Sequence, residues 1–129
     1  INKYITWWKN VEVFIEELRN EIISLKDSGQ RIAAFGASAK GNTLLNSLGL
    51  DYNIIDYIVD DTPEKVLKYS PGTGIPVVSR SSLRTNPPDQ VVILAWNFTD
   101  EIIQSLAISN EYTGNFIIPI PGVVNKESI

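Results

Sequence analysis

The eight residues Gly36-Ala37-Ser38-Ala39-Lys40-Gly41-Asn42-Thr43 carry this chain's best arrangement for holding an anion. They follow a short apolar run and open a segment of alanine, leucine and small polar residues, so they fall where a strand passes into a helix. Backbone N–H groups at a helix start lack partners within the helix, and the dipole is positive there, which favours phosphate. Gly36 permits the tight turn, and Gly41 permits close packing of helix on strand. Ser38 takes the middle place of G-x-G-x-x-G, where a glycine usually lets a pyrophosphate approach; a serine adds a hydroxyl donor and narrows that approach. Lys40, inside a glycine-flanked turn, has little packing value and suits a phosphate. The segment also nearly matches G-x-x-x-x-G-K-[ST], with Thr43 in its last place. Asn42 stands where the lysine belongs and Lys40 lies two places early, so an NTPase loop is rejected. The plainer alternative is a small-residue turn that only lets a helix pack, with Lys40 a solvated charge.

Other residues reach the same crevice. Asp60 and Asp61 close a second predicted strand some two dozen residues after Gly36, where a carboxylate commonly holds a pair of ribose hydroxyls. Asp ahead of Thr62-Pro63 is equally ordinary turn chemistry. Trp96 or Phe98 could stack on a base and Asn97 could bond it; otherwise Trp96 is core and Asn97 a helix N-cap. Lys65 and Lys68 could add phosphate contacts from the second crossover, though Lys68 reads more naturally as solvated. With no histidine and no cysteine, no nucleophile–base pair can be assembled, and the carboxylates lack metal-ligand spacing. No catalytic residue is therefore assigned.

The elements that must position these groups alternate. Residues 8–26 repeat Val11, Phe14, Ile15, Leu18, Ile22 and Leu25 at helical intervals, with Glu16, Glu17, Arg19 and Asn20 largely opposite. Strands are expected over 31–35, 54–59, 75–78, 90–95 and 115–118, the last stopped by Pro119 and Pro121. Helices are expected over 39–48 and 99–109, and at most a helical turn over 81–84. Strands alternating with helices or long connections predict an α/β, Rossmann-like three-layer domain. Its mainly parallel sheet has about five strands in order 3-2-1-4-5, with an amphipathic helix at the N-terminus.

A chain of 129 residues fits one domain over 1–129, and its opening at Ile1 without methionine suggests a piece of a longer enzyme. A net charge of −4 argues against nucleic acid as partner. No apolar run approaches a membrane span and no signal peptide precedes the first helix, so a cytoplasmic setting is expected.

Four ordered blocks then resemble one family. They are Phe35-Gly36-Ala-Ser-Ala-Lys40-Gly41-Asn-Thr43-Leu-Leu-Asn46; Ile58-Val-Asp60-Asp-Thr-Pro63-Glu-Lys65; Tyr69-Ser-Pro71-Gly72-Thr-Gly-Ile75-Pro76-Val; and Ile93-Leu-Ala-Trp96-Asn97-Phe. Together they resemble the C-terminal domain of S-adenosylmethionine-dependent sugar C-methyltransferases, which methylate deoxysugars carried on a nucleoside diphosphate. The resemblance implies a zinc-binding region and a methyl-donor-binding domain outside this chain, with the catalytic base among them. It implies that this domain binds neither zinc nor S-adenosylmethionine, anchors a nucleotide diphosphate sugar, typically of thymidine, and helps close the active-site cleft. Ser38, Lys40, Gly41 and Asn42 would grip the diphosphate, Asp60 and Lys65 would flank it, and Trp96 and Asn97 would edge the pocket. Leu67 departs from the pattern, standing where a glycine is expected between Lys65 and Tyr69.

Two further readings stay open. One is a self-contained binder of a dinucleotide or coenzyme A, against which Ser38 counts. The other is a docking module with a degenerate pocket, holding a neighbouring domain through Trp7 and Trp8.

Overall fold

Four successive apolar residues, Ile32 to Phe35, are all buried, which a strand achieves only when both faces of its sheet are covered. The computed structural model describes residues 2–119 and 124–127, and side chains between residues 14 and 119 except that of Pro63. Helix α1 (Asn2–Asp27) leads to strand β1 (Ile32–Phe35), helix α2 (Ala39–Leu48), and strands β2 (Ile58–Val59) and β3 (Val77–Val78). Helix α3 (Ser81–Thr85), strand β4 (Gln90–Ile93), helix α4 (Thr99–Ile108), and strands β5 (Asn115–Ile118) and β6 (Val124–Glu127) complete the order.

The sheet runs β3-β2-β1-β4-β5-β6. Its first five strands are parallel and stand in the order expected from sequence. Asn115–Ile118 is not the last strand, however. The chain returns as β6, antiparallel to β5, with Ile118 opposite Val124. Pro119 ends β5 without ending the sheet, and Pro121 lies outside the described residues.

Alternation along each strand sorts the core into two layers. Ile32 and Ala34 of β1, with Val92 of β4, pack beneath Leu45 and Leu48 of α2 and Leu18 and Ile22 of α1. Ala33 and Phe35, with Val91 and Ile93, face Leu83 of α3 and Ile102 and Leu106 of α4. Leu18 and Ile22 are fully buried while Glu16, Glu17, Arg19 and Asn20 are exposed, as the helical repeat requires. The side chains of Val11, Trp7 and Trp8 lie outside the described residues.

Several boundaries differ from the sequence expectation, each for a local reason. Helix α1 begins at Asn2 rather than at Trp8. Strand β2 spans only two residues because the Asp51 carbonyl accepts the Ile54 and Ile55 N–H groups and its side chain accepts that of Asn53, making a turn. Strand β3 starts only at Val77, because Ile75 is tied into the preceding turn: its N–H donates to Ser70 Oγ at 3.2 Å and its carbonyl accepts the Ser70 N–H at 2.9 Å. Strand β4 stops at Ile93, and Trp96–Phe98 forms a single 3-10 turn ahead of α4. Residues 81–85 make a full short helix. No helix among the described residues is long and apolar enough to cross a membrane.

Candidate functional site

The passage from β1 to α2 is built from its first residue. Gly36 has φ of +102°, a left-handed conformation that a side chain disfavours. A Cβ there would also stand 3.0 Å from the Ala95 Cβ, so the loop after β1 lies hard against the loop after β4. The next peptide is clamped on both sides. The Ala37 N–H donates to Asp60 Oδ2 at 2.7 Å, and the Ala37 carbonyl accepts from Lys65 Nζ at 2.9 Å. Extended backbone at Ser38 then turns into α2, and Ser38 Oγ accepts the Gly41 N–H at 3.0 Å as the N-cap.

Capping leaves Ala39 and Lys40, the first two residues of α2, with N–H groups that have no acceptor within the helix. Gly41 is buried, and a Cβ on it would fall 2.7 Å from the Leu94 Cβ and 3.1 Å from the Gly36 carbonyl oxygen. Its part is to bring α2 down onto the end of β4. Asn42 donates its N–H to the Ser38 carbonyl, while its Oδ1 is buried and without a hydrogen-bond partner. The Thr43 hydroxyl donates to the Ala39 carbonyl at 2.9 Å, one turn back along the helix.

Asp60 is fully engaged. Its second oxygen accepts the Thr62 N–H at 2.8 Å, closing the turn after β2. Burial works to raise its pKa, but the hydrogen bonds from Thr62 and Ala37 and the charge of Lys65 outweigh burial and hold it below the ordinary 3.8. Of the two roles sequence allowed, the turn role is the one the geometry fills. Asp61 turns elsewhere, to Arg80 Nε at 3.3 Å. Arg80 lies 5.7 Å over the Phe35 ring and donates to Ser105 Oγ at 2.7 Å, tying the end of β3 to α4.

Three clefts open around the start of α2. One, about 430 Å³, runs along one face of the helix past Lys40, Thr43, Ser47 and Trp96, and the other two divide most of the residues singled out from sequence. The larger, about 540 Å³, lies toward β2 and β3 and is lined by Asn42, Thr43 and Lys65, with Ile58, Val77 and Leu94 as its floor. The smaller, about 290 Å³, lies toward the end of β4 and is lined by Lys40, Trp96, Asn97 and Phe98. Ser38, Ala39 and Leu94 belong to both. Gly36, Gly41 and Asp60 shape the junction between them. Trp96 is partly buried, whereas Asn97 is exposed and does not cap α4, whose N-cap position is Phe98 with no side-chain bond. The alternative of Asn97 as a helix cap is therefore corrected.

Sequence reasoning passed over the far wall of the larger cleft, where Lys68, Tyr69, Ser70 and Pro71 stand. Lys68, for which the sequence favours a solvated role over a phosphate contact, is exposed but lines the cleft. The loop is held to α2 by Asn46, whose Nδ2 donates to the Pro71 carbonyl at 3.4 Å, and by Gly72, where a Cβ would meet Asn46 Oδ1 at 2.7 Å. The available signal was an aromatic residue set among polar and turn residues. Leu67, in the expected glycine position, has φ of +69° and is 87% exposed.

Nowhere in this arrangement does a nucleophile meet a base. The chain has no histidine or cysteine, and among the described residues no group of three carboxylates is placed to hold a metal.

Residues 1–121 match the family model described as the C-methyltransferase C-terminal domain. The chain is also similar to a curated protein of Streptomyces niveus, the C-methyltransferase NovU. The two are 35% identical over 122 residues, which cover 93% of this chain and 28% of that relative's length.

Proposed function

The chain belongs to the family of C-methyltransferase C-terminal domains, and from that premise we propose that it anchors the diphosphate of a nucleotide-sugar substrate for an S-adenosylmethionine-dependent sugar C-methyltransferase. Methyl transfer takes place in a domain beyond this chain, where S-adenosylmethionine, when bound, supplies the methyl group. A thymidine diphosphate deoxysugar is the substrate class, and the enzyme works in the cytoplasm.

The observation that carries this reading is the junction shared by the two clefts. The Ala39 and Lys40 N–H groups lack acceptors in the helix, the Ser38 hydroxyl keeps its proton while its oxygen caps α2, and the dipole of α2 is positive at this end. Lys40 lines one cleft and Lys65 and Lys68 the other, so cations stand on both flanks of one anion seat. Such a module contributes by positioning: holding a reactant in its reactive geometry lowers a barrier without any proton transfer by the holder.

Asp60 weighs against the dinucleotide alternative. A cofactor-binding domain turns the carboxylate after its second strand toward a ribose. Here both oxygens are spent on the Ala37 and Thr62 N–H groups.

Titration with thymidine diphosphate, NAD and S-adenosylmethionine in separate runs, followed by amide chemical shifts, tests the proposal. Shifts at residues 38–42 with thymidine diphosphate alone are expected. Lys40→Ala should weaken that binding about 10- to 150-fold, the 1.5–3 kcal/mol of a charge-assisted hydrogen bond. Tight NAD binding would overturn the reading in favour of a cofactor domain.

A further inference from the structure

Tyr69 carries a ring that is 71% exposed on a backbone that is anything but loose. It pairs across an antiparallel bridge with Pro76, the Ser70 N–H beside it donates to the Ile75 carbonyl at 2.9 Å, and the Ser70 and Thr73 hydroxyls bond to each other in the buried turn. Asn46 fastens the same turn to α2. A large apolar side chain normally goes under cover, so an aromatic ring held in the open by a rigid support calls for a partner. Tyr69 stands on the wall of the larger cleft, above a floor of Ile58, Val77 and Leu94.

We infer that the nucleoside of the substrate lies in this cleft with its base stacked on Tyr69, and that the sugar runs the opposite way, past Lys40 and Trp96. The step rests on the diphosphate reading above and gives it a direction. A linear ligand whose central diphosphate sits at Ser38 and Ala39 must send one end into each of the two clefts that share those residues. At about 540 Å³ the cleft beside β2 and β3 falls within the usual range for a small-molecule site. The 290 Å³ of the other is marginal by itself and leaves room for a sugar beside the 430 Å³ cleft that adjoins it at Lys40 and Trp96. The larger space, with an apolar floor and an exposed ring at its wall, suits the flat apolar faces of a base. Of the two candidate base platforms from sequence, Trp96 is partly buried in its 3-10 turn and Phe98 is 60% exposed. Both line the smaller cleft, which lacks the apolar floor of Ile58 and Val77.

Calorimetric titration of the chain with inorganic pyrophosphate and with thymidine diphosphate separates the ends of the ligand. Tyr69→Ala should weaken thymidine diphosphate about 5- to 100-fold and leave pyrophosphate within twofold, because only the nucleotide has a base to stack. Tyr69→Phe, which keeps the ring, should restore the nucleotide affinity. If pyrophosphate binds and Tyr69→Ala leaves thymidine diphosphate unchanged, the orientation is wrong while the anion seat stands. Loss of the nucleoside's contribution in Trp96→Ala or Phe98→Ala instead would reverse the ligand. Failure of pyrophosphate to bind the unaltered chain would remove the anion seat, and the orientation with it.

Discussion

Asp60 reaches from the end of β2 to take the Ala37 N–H at 2.7 Å, so a fixed carboxylate rather than a ligand occupies the second amide of the loop after β1. Lys65 holds the carbonyl of the same residue at 2.9 Å and offsets the charge. The loop is thus braced before any anion arrives. The remaining donors, beginning at Ser38, are the ones that face the clefts.

Removing the brace should cost stability in a pH-dependent way. Asp60→Asn keeps the shape but loses the charge, and a destabilisation of about 1.5–3 kcal/mol is expected at pH 7, the usual worth of hydrogen bonds to a charged group. Because the folded-state pKa of Asp60 lies below its ordinary 3.8, its contribution is fully present above that value and is lost as pH falls through the folded one. Urea midpoints of the two proteins should therefore differ by a constant amount above about pH 5 and converge below about pH 4.

Gly41→Ala sets two effects against each other. Alanine in place of glycine favours a helix by roughly 1 kcal/mol. The new Cβ, however, would stand 2.7 Å from the Leu94 Cβ, which sits next to backbone and cannot swing away. Overpacking of this kind costs about 1–3 kcal/mol, so a net loss and a lower melting temperature are expected.

At Leu67 the balance runs the other way. A left-handed leucine costs about 1–2 kcal/mol, and glycine returns about 0.5–1 of that through greater freedom in the unfolded chain. Nothing is lost in packing, since the side chain is 87% exposed. Leu67→Gly should raise the melting temperature slightly, while Leu67→Ala, left-handed still, should not.

Ser38 serves the helix and the anion with different atoms, and two substitutions part them. Ser38→Ala should destabilise by about 1 kcal/mol through loss of the cap. Ser38→Asp restores a cap and suits the helix dipole, but it sets a fixed negative charge in the anion seat. Thermal melts should show it stable, and titration with thymidine diphosphate should show binding abolished.

The junction at residues 36–41 is legible in the sequence because each residue there answers a local demand. Gly36 meets a backbone angle and Gly41 a close approach, and both follow from position alone; the cap that Ser38 supplies is not read from the motif. Strand order is legible too, since alternation and right-handed crossovers leave few choices. The short span of β2 is not, because the Asp51 turn competes with the strand through bonds that composition does not reveal. Nor is the division of the site into two clefts read from motif spacing. Lys40 and Asn42 look like neighbours in a motif, yet residues two apart on a helix point away from each other, and the structure puts them on opposite flanks. Tyr69 escapes altogether, since its wall is assembled by a turn docking onto Asn46 from 25 residues away in the chain.

The strand order has a consequence for how the two halves of the seat respond to fluctuation. β1 and β4 are the middle pair, matched over four residues from Ile32–Gln90 to Phe35–Ile93, whereas β3 is a two-residue strand at the rim of the sheet. Interior strands exchange their amide hydrogens only in near-global opening, and short edge strands fray long before that. The diphosphate end of the seat is thus anchored to the slowest-exchanging part of the molecule, and the Tyr69 wall to one of the fastest. A ligand spanning both should act as a tie, slowing amide exchange at the edge far more than at the centre.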